Sequence, residues 1–142
     1  MKIYLDDVRI PIEKGWTIVR TFDEFVSKVN EVGLENIELI SLDHDLDKSA
    51  MQEWVFNTYH NYNINYTNIK EKTGLDCAKW LVEQWKNGQP VVKVVVHSAN
   101  AIGSGNIMGQ INHYKHVAHL LQDCYRVEIQ HTIDEKLKEK LR

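Results

Sequence analysis

The sequence is poor in the features that mark secreted and membrane proteins. It has only two cysteines, Cys77 and Cys124, which lie far apart and form no C-x-x-C pair, so we expect buried free thiols that serve as packing residues. No apolar stretch approaches the roughly 20 residues that a membrane-spanning helix needs. The N-terminal residues MKIYLDDVR carry charge where a signal peptide has an apolar core. These absences predict a reduced, cytoplasmic protein with no membrane association.

Neither sign of charge is in large excess. The formal net charge is −3 and the pI is near 6.1, which predicts no tight nonspecific attraction to a nucleic-acid backbone or an anionic membrane. We therefore expect no DNA-binding domain, although a local basic site is compatible with this balance. A chain of 142 residues can bury one sizeable core, so residues 1–142 are predicted to form a single domain.

Apolar segments of two kinds alternate along the chain. Short runs rich in β-branched residues predict strands, and segments with apolar residues three or four apart predict helices. Such alternation predicts an α/β fold with a five-stranded, mostly parallel sheet, helices on both faces and right-handed crossovers. The predicted strands cover residues 3–5, 17–19, 37–42, 91–96 and 125–130.

Helix starts and stops are also recognisable. Thr21 begins one helix with capping-box spacing to Glu24, and Thr73 begins another that runs to the stop NGQP. A third helix is predicted after the glycine-serine segment that ends at Asn106. A short last helix would present Ile133, Leu137 and Leu141 on one side.

Two connections depart from this alternation. Residues 7–16 contain Pro11 and Gly15 and are too short for a good helix, so a loop or a single turn is expected there. Residues 47–72 form an insertion that begins with a helical segment at Ser49. Its Asn- and Tyr-rich part is either a surface insertion or a lid that offers stacking surfaces for a base. The tyrosines in question are Tyr59, Tyr62 and Tyr66.

Polar residues follow three of the predicted strands. Ligands of open α/β sheets bind beyond the carboxyl ends of the strands, so these residues share one crevice if the first, third and fourth strands are neighbours. Clustered carboxylates repel one another unless a cation lies among them, and Mg²⁺ (or Mn²⁺) suits an oxygen-rich site. The residues are Asp6 and Asp7 after the first strand, Asp43, His44 and Asp45 after the third, and His97, Ser98 and Asn100 after the fourth.

We predict that Asp6, Asp7 and Asp43 hold this cation. Taken singly, each acid could instead cap a turn or a helix, and this alternative applies most strongly to Asp45. Their joint occurrence at the ends of several strands favours the metal site.

Five separated motifs then resemble one family. They are LDDVR with a following proline, W-x-x-V-R-T at 16–21, SLDHDL at 41–46, TG-D at 73–76, and VHSAN at 96–100 with a following N-I. In this order they resemble the cyclic-phosphate processing receiver domain family over roughly residues 3–112. The resemblance implies a receiver-like (flavodoxin-like) three-layer fold. It also implies that Asp6 and Asp7 match the receiver's acidic pair, Asp43 its phosphoacceptor and Ser98 its hydroxyl residue.

The resemblance further implies action on cyclic phosphate ends of RNA or nucleotides, in RNA repair or nucleotide processing. One departure from an ordinary receiver stands out, because the segment YRVEIQH has no lysine for a phosphoryl group. It has only Arg126 at its start and His131 at its end. His44 and His97 are additional, and each can exchange a proton near neutral pH.

Together these residues predict a metal-dependent hydrolysis of a phosphodiester. One histidine would activate water and the other would protonate the leaving oxygen. Arg9 would hold the phosphate through two donors, unless it forms only a surface ion pair. Asn100 and Asn106, which flank the glycine-serine segment, would bind substrate at the helix start.

Two other functions remain open at this level. The domain could be a signalling receiver with Asp43 as phosphoacceptor, or a non-catalytic module that binds a phosphorylated ligand or a protein. His44 and His97 could also be core histidines bonded to backbone. The histidines of the segment HYKHVAH, which are His113, His116 and His119, are predicted to lie on a solvated helix face.

Overall fold

The computed structural model describes residues 1–46, 48–53, 63–69, 71–120 and 122–137. Five strands form one sheet: β1 (Lys2–Leu5), β3 (Trp16–Val19), β4 (Leu39–Leu42), β5 (Lys93–Val96) and β6 (Tyr125–Arg126). Their spatial order is β3-β1-β4-β5-β6, and every neighbouring pair is parallel. Two further strands, β2 (Arg9–Pro11) and β7 (His131–Ile133), pair with each other antiparallel.

This order places β1, β4 and β5 side by side in register. Leu5 pairs with Leu42, and Leu42 pairs with Val96, so these three strands end at the same level. The residues that follow them are therefore neighbours at one edge of the sheet, as the sequence predicted.

The helices are α1 (Phe22–Val32), α2 (Lys48–Glu53), α3 (Gly74–Lys86) and α4 (Ala101–Val117), and short 3-10 turns cover Leu34–Asn36 and Tyr66–Asn68. The predicted starts of α1 and α3 are confirmed. Thr21 accepts a hydrogen bond from the backbone of Glu24, and Thr73 forms a reciprocal capping box with Asp76. None of the helices in the described part of the chain is long and apolar enough to cross a membrane.

One hydrophobic core joins the sheet to its three long helices. Alternate strand residues such as Leu5, Leu42 and Val96 face this core, together with residues of α1, α3 and α4. Their neighbours Tyr4 and Val95 are buried but lie outside it, because successive side chains of a strand point to opposite faces. Cys77 and Cys124 are buried free thiols within the core.

Several predicted boundaries change in the structure. The strands predicted at 37–42, 91–96 and 125–130 are shorter than expected. The glycine-serine segment before Asn106 is not a loop, because α4 already begins at Ala101. Within the insertion, the predicted helix is present as α2, and Tyr59 and Tyr62 lie outside the described residues. His113 and His116 are exposed on α4, as predicted, whereas His119 is exposed but lies just beyond the end of the helix.

The predicted C-terminal helix is wrong at its start. Ile133 ends strand β7, which pairs with β2 in the connection that was expected to be a loop, and Leu141 lies outside the described residues. The apolar spacing of a helix was present here, but it is a weak local signal. The exposed edge of β2 offers hydrogen bonds that β7 can satisfy.

The β2–β7 pair is fastened to the end of β1 by Arg20. One guanidinium nitrogen donates to the carbonyl oxygens of Asp6 at 3.0 Å and Arg9 at 2.8 Å. A second nitrogen lies 2.6 Å from the carboxylate of Asp134, whose backbone N–H donates to Val8 at 2.7 Å. These contacts fix the loop that carries Asp6 and Arg9.

Candidate active site

Asp6 is the most firmly held acid of the site. It is fully buried directly after β1. One carboxylate oxygen accepts the backbone N–H groups of Val8 at 3.0 Å and Arg9 at 2.8 Å, and the other accepts the Arg9 side chain at 2.9 Å. Burial opposes the ionisation of Asp6. This effect is outweighed by the hydrogen bond from His97, by the charge of Arg9 and by the two backbone N–H groups, so the pKa of Asp6 is lowered. Asp6 is therefore a carboxylate at neutral pH.

Asp43 is in a less favourable environment for a charge. It follows β4, is 4 % exposed, and accepts the backbone N–H of His44 at 2.9 Å. Burial first, and then the charge of Asp6, raise the pKa of Asp43 well above its usual value, although Arg9 opposes this. The charged form of Asp43 is therefore costly in the fold, and a further cation would reduce that cost.

Arg9 lies between these two acids. Its Nε contacts Asp6, while Nη2 lies 3.4 Å from the carboxylate of Asp43. Its Nη1 lies 3.2 Å from Nε2 of His131 on β7. Arg9 was predicted to hold a phosphate, and in this structure its guanidinium acts as the counter-cation of the acids.

His97 closes the same group of residues from β5. Its Nε2 lies 3.2 Å from Asp6, and its Nδ1 lies 2.7 Å from the hydroxyl of Ser41. Because a carboxylate only accepts, we assign the proton to Nε2, and the hydroxyl of Ser41 then donates to Nδ1. Burial lowers the pKa of His97 despite the neighbouring carboxylate, so the ring is neutral at neutral pH.

Asp6, Asp43 and His97 form what we call the acidic cluster. Each offers one ligand atom, and these atoms lie within 4.8 Å of one another. Two carboxylate oxygens and one imidazole nitrogen suit Mn²⁺ and other divalent ions, and the carboxylates suit Mg²⁺. The residues therefore fit a divalent cation.

Asp7, the third predicted ligand, does not belong to the acidic cluster, whose ligand atoms lie within 4.8 Å of one another. It is half-buried beside Asp6. Burial and the charge of Asp6 raise the pKa of Asp7 to about 6. Its carboxylate is thus largely ionised at neutral pH but not in mild acid.

His44 belongs to a second group, which we call the His44 network. The ring is fully buried; Nδ1 lies 2.7 Å from Asp45, and Nε2 lies 2.9 Å from the hydroxyl of Tyr66. The carboxylate of Asp45 fixes the proton on Nδ1, so Tyr66 donates to Nε2. Asn106 in turn donates to the hydroxyl of Tyr66 at 3.1 Å. The structure thus separates His44 from the ligand atoms of the acidic cluster.

Asp45 does more than cap a turn. Besides His44, it accepts a hydrogen bond from the side chain of Asn100 at 3.3 Å. Asn100 is the N-cap of α4 and accepts the backbone N–H of Gly103 at 2.9 Å. The buried Asn100 side chain therefore ties the end of β4 to the start of α4.

Ser98 lies at the end of β5 and is almost fully buried. Its hydroxyl accepts the backbone N–H of Asn100 at 3.1 Å. Its carbonyl accepts the hydroxyl of Ser104 at 3.2 Å and Nε of Arg126 at 3.0 Å. Ser98 thus links β5, α4 and β6 at the edge where the acids lie.

Sequence reasoning underestimated three residues. Because β6 ends at Arg126 instead of continuing to residue 130, Arg126 lies at the carboxyl end of its strand and beside Ser98. The alternation of β1 and β4 would have placed Tyr4 and Ser41 on the face opposite the core. Both contact His97.

A cavity of about 280 Å³ opens beside the His44 network. Tyr66 forms part of its wall, and the residues from Thr73 to the first turn of α3 form another part. Lys72 and Lys79 add positive charge to the lining, and Glu71 and Asp76 add an equal negative charge. The cavity is concave, and its lining mixes apolar and charged side chains.

Parallel strands in this order, with acids after β1 and β4 and a hydroxyl residue after β5, define a receiver-like α/β domain. The chain belongs to the cyclic-phosphate processing receiver domain family, whose sequence model matches residues 1–113. Comparison with curated proteins and with solved structures gave no match. Strands β6 and β7, with Arg126, His131 and Asp134, lie beyond the matched span.

Gly103 offers a test of the His44 network. A Cβ at this position would lie 2.5 Å from Cγ of the His44 ring, so Gly103→Ala should displace the ring. We expect the substitution to destabilise the protein by about 1–3 kcal/mol, as measured by chemical denaturation. Gly105→Ala is the matched control on the same helix, because no atom lies within 4 Å of its Cβ position.

The control should be neutral or stabilising, since alanine is the better helix former by up to about 1 kcal/mol. Equal stabilities for the two variants would show that His44 is not held against α4 as described.

Proposed function

We propose that this chain hydrolyses a cyclic phosphate ester, on an RNA end or a nucleotide, with the help of Mg²⁺ or Mn²⁺. The observation that carries the proposal is the convergence of the buried carboxylates of Asp6 and Asp43 with the buried ring of His97. Buried carboxylates this close are costly without a cation. Membership in a cyclic-phosphate processing family agrees with a phosphate ester as the ligand.

A divalent cation bound at Asp6 and Asp43, with Asp7 as a further ligand, would neutralise the phosphate and lower the pKa of a bound water. Asp6 is already ionised for this task. The pKa of Asp43 is raised in the ligand-free fold, so a cation held there would favour its ionised form.

His97 is the candidate general base. The hydroxyl of Ser41 can either donate to Nδ1 or accept from it. If Asp6 held a divalent cation, His97 would favour the tautomer with its proton on Nδ1. Its Nε2 is then free to accept a proton from water, and burial keeps the ring neutral and ready to do so.

Arg9, Arg126 and Asn106 are the candidate substrate-binding groups. The guanidinium of Arg9 already contacts Asp6 and Asp43. If a cation replaced it as the partner of these carboxylates, the guanidinium could bind a phosphate instead. Arg126 is exposed beside Ser98, and Asn106 is exposed beside Tyr66. The adjacent cavity would take the nucleoside part of the substrate, with Tyr66 as a stacking surface.

His44 enters this scheme through Tyr66. Both ring nitrogens are engaged, so the ring orients the hydroxyl of Tyr66 at the cavity rather than touching the phosphate. Ser98 and Asn100 hold the strand ends in place through the bonds described above. A signalling receiver with Asp43 as phosphoacceptor is the rival function, and the site can be tested for it directly.

The test is a turnover assay with 2′,3′-cyclic mononucleotides and cyclic-phosphate-ended RNA in Mg²⁺ or Mn²⁺. We expect His97→Gln to lower kcat about 100-fold or more, as loss of a general base does. His116→Gln is the matched control, because this histidine is exposed and pairs only with Asp123 among the contacts described. Full activity of His97→Gln would remove the assignment of the base.

Incubation with acetyl phosphate and Mg²⁺ tests the rival. A phosphoaspartate that disappears in Asp43→Asn, together with no turnover of any cyclic phosphate, would favour signalling and contradict hydrolysis.

A further inference from the structure

The hydroxyl of Tyr4 is a buried donor that finds no acceptor among the described residues. Tyr4 is fully buried on β1, on the face of the sheet opposite the core. Its oxygen has no hydrogen-bond partner in the described part of the chain. Buried polar groups are normally satisfied, so an exception requires an explanation.

Tyr4 is held against the acidic cluster by two aromatic contacts. Its ring is stacked on His97 with a centroid distance of 4.1 Å and an interplanar angle of 8°. Trp16 meets the ring edge-on at 5.7 Å. Because His97 is itself bonded to Asp6, the position of Tyr4 is coupled to that of a proposed cation ligand.

The charges that act on the phenol are those of the site. Burial, Asp6 and Asp43 raise the pKa of Tyr4, and Arg9 and Arg20 act in the opposite direction. The phenol therefore stays protonated at any physiological pH. It can serve as a hydrogen-bond donor but not as a phenolate.

The nearby acceptors are already engaged. The carboxylate of Asp6 accepts bonds from Val8, from the backbone and side chain of Arg9, and from His97. The hydroxyl of Ser41, which lies opposite Tyr4 across the β1–β4 pair, is bonded to His97. A phenylalanine at position 4 would keep both ring contacts without an unsatisfied hydroxyl, so the hydroxyl is costly to the ligand-free fold.

We propose that the Tyr4 hydroxyl donates a hydrogen bond to an anionic oxygen of the phosphate bound at the acidic cluster. This inference rests on the proposed function and adds a phosphate-binding residue to it. The donor is already fixed by stacking on His97, so it loses little conformational freedom when the ligand arrives. The ligand would satisfy a hydroxyl that the described residues leave without a partner.

The test uses Tyr4→Phe, which removes one oxygen and keeps the ring. The probes are adenosine 2′-monophosphate and adenosine 3′-monophosphate, the two hydrolysis products of a cyclic adenosine phosphate, titrated by calorimetry in Mg²⁺. We expect the affinity for at least one of them to fall about tenfold to a hundredfold, as for a lost bond to a charged group. The melting temperature of the ligand-free variant should stay the same or rise.

Tyr125→Phe is the matched control, because Tyr125 is exposed on β6 and loses the same single oxygen. It should leave the affinity for both nucleotides unchanged. A titration with Mg²⁺ alone completes the design. Tyr4→Phe should bind the cation as the wild type does, because the hydroxyl is assigned to the phosphate and not to water on the cation.

Three results would overturn the inference. The first is that Tyr4→Phe binds both nucleotides with wild-type affinity. The second is that the ligand-free variant melts at a lower temperature than the wild type, which would reveal a structural partner of the hydroxyl. The third is that the variant binds Mg²⁺ alone more weakly. Failure of the proposed function is distinguishable, because it appears in the wild type itself as no turnover and no nucleotide binding.

Discussion

Asp43→Asn is expected to stabilise the ligand-free protein while it abolishes cation binding and lowers turnover about 100-fold or more. The fold disfavours the charged form of Asp43, whose pKa is raised by burial and by Asp6. Asparagine has nearly the same shape and carries no charge. Each pKa unit relieved is worth about 1.4 kcal/mol, which corresponds to roughly 5 °C in melting temperature for a chain of this size.

The stability difference between the wild type and Asp43→Asn should depend on pH, and the raised pKa of Asp43 sets its direction. A carboxyl whose pKa is higher in the folded than in the unfolded state contributes full stability below its unfolded pKa. This contribution is lost as the pH rises through the folded pKa. The melting temperatures of the wild type and Asp43→Asn should therefore converge near pH 4 and separate as the pH rises, with the variant higher.

Asp123→Asn is the control, because its carboxylate is exposed and remote from the site. It should show neither the pH-dependent gain nor the loss of cation binding in calorimetry. A variant at Asp43 that is less stable than the wild type at pH 8 would contradict the assigned electrostatics.

Gly74→Ala is expected to be the most destabilising single-methyl change in the described part of the chain. A Cβ at this position would lie 1.8 Å from the carbonyl oxygen of Asp43 and 3.1 Å from Cα of His44. Both are backbone atoms, so they cannot move aside as the end of a flexible side chain could. The start of α3 would have to separate from the end of β4, at an expected cost of about 3 kcal/mol or more.

Chemical denaturation measures this loss, and Gly109→Ala is its control, since no atom lies within 4 Å of a Cβ there. The displacement should also disturb the acids. The backbone N–H of Gly74 donates to the carbonyl of His44 at 2.9 Å, so residual folded protein should bind divalent cations more weakly. Wild-type stability of Gly74→Ala would show that α3 does not approach β4 so closely.

This close approach gives a physical meaning to the TG-D motif of residues 73–76. Thr73 and Asp76 form the capping box that begins α3. Gly74 between them lets the helix begin against the strand that ends at Asp43. The motif thus connects a helix cap to the position of a proposed cation ligand, although none of its residues lies in the acidic cluster.

The arrangement of the site followed from simple rules that the sequence contains. Two caps, at Thr21 and Thr73, fixed the helix starts because capping depends on residues three positions apart. Apolar strand residues fixed the sheet, and the order of strands brought Asp6, Asp43 and His97 to one edge. These features depend on local pattern and on the way parallel sheets are built.

Other features depended on contacts between distant parts of the chain. The pairing of β7 with β2 joins residues more than 100 positions apart, and a helical apolar spacing near Ile133 masked it. The same pairing brings His131 to Arg9 and Asp134 to Arg20. The early end of β6 places Arg126 beside Ser98.

The sequence by itself determined the α/β alternation, the starts of α1 and α3, and the polar residues that follow β1, β4 and β5. Only the tertiary structure decided that Arg9 bridges the acids, that His44 faces Tyr66 and that the Tyr4 hydroxyl beside His97 has no partner among the described residues. The reason is that periodicity and capping act over a few residues. The direction and the partners of a polar side chain instead depend on the residues that it packs against, and a local sequence pattern does not show which residues these are.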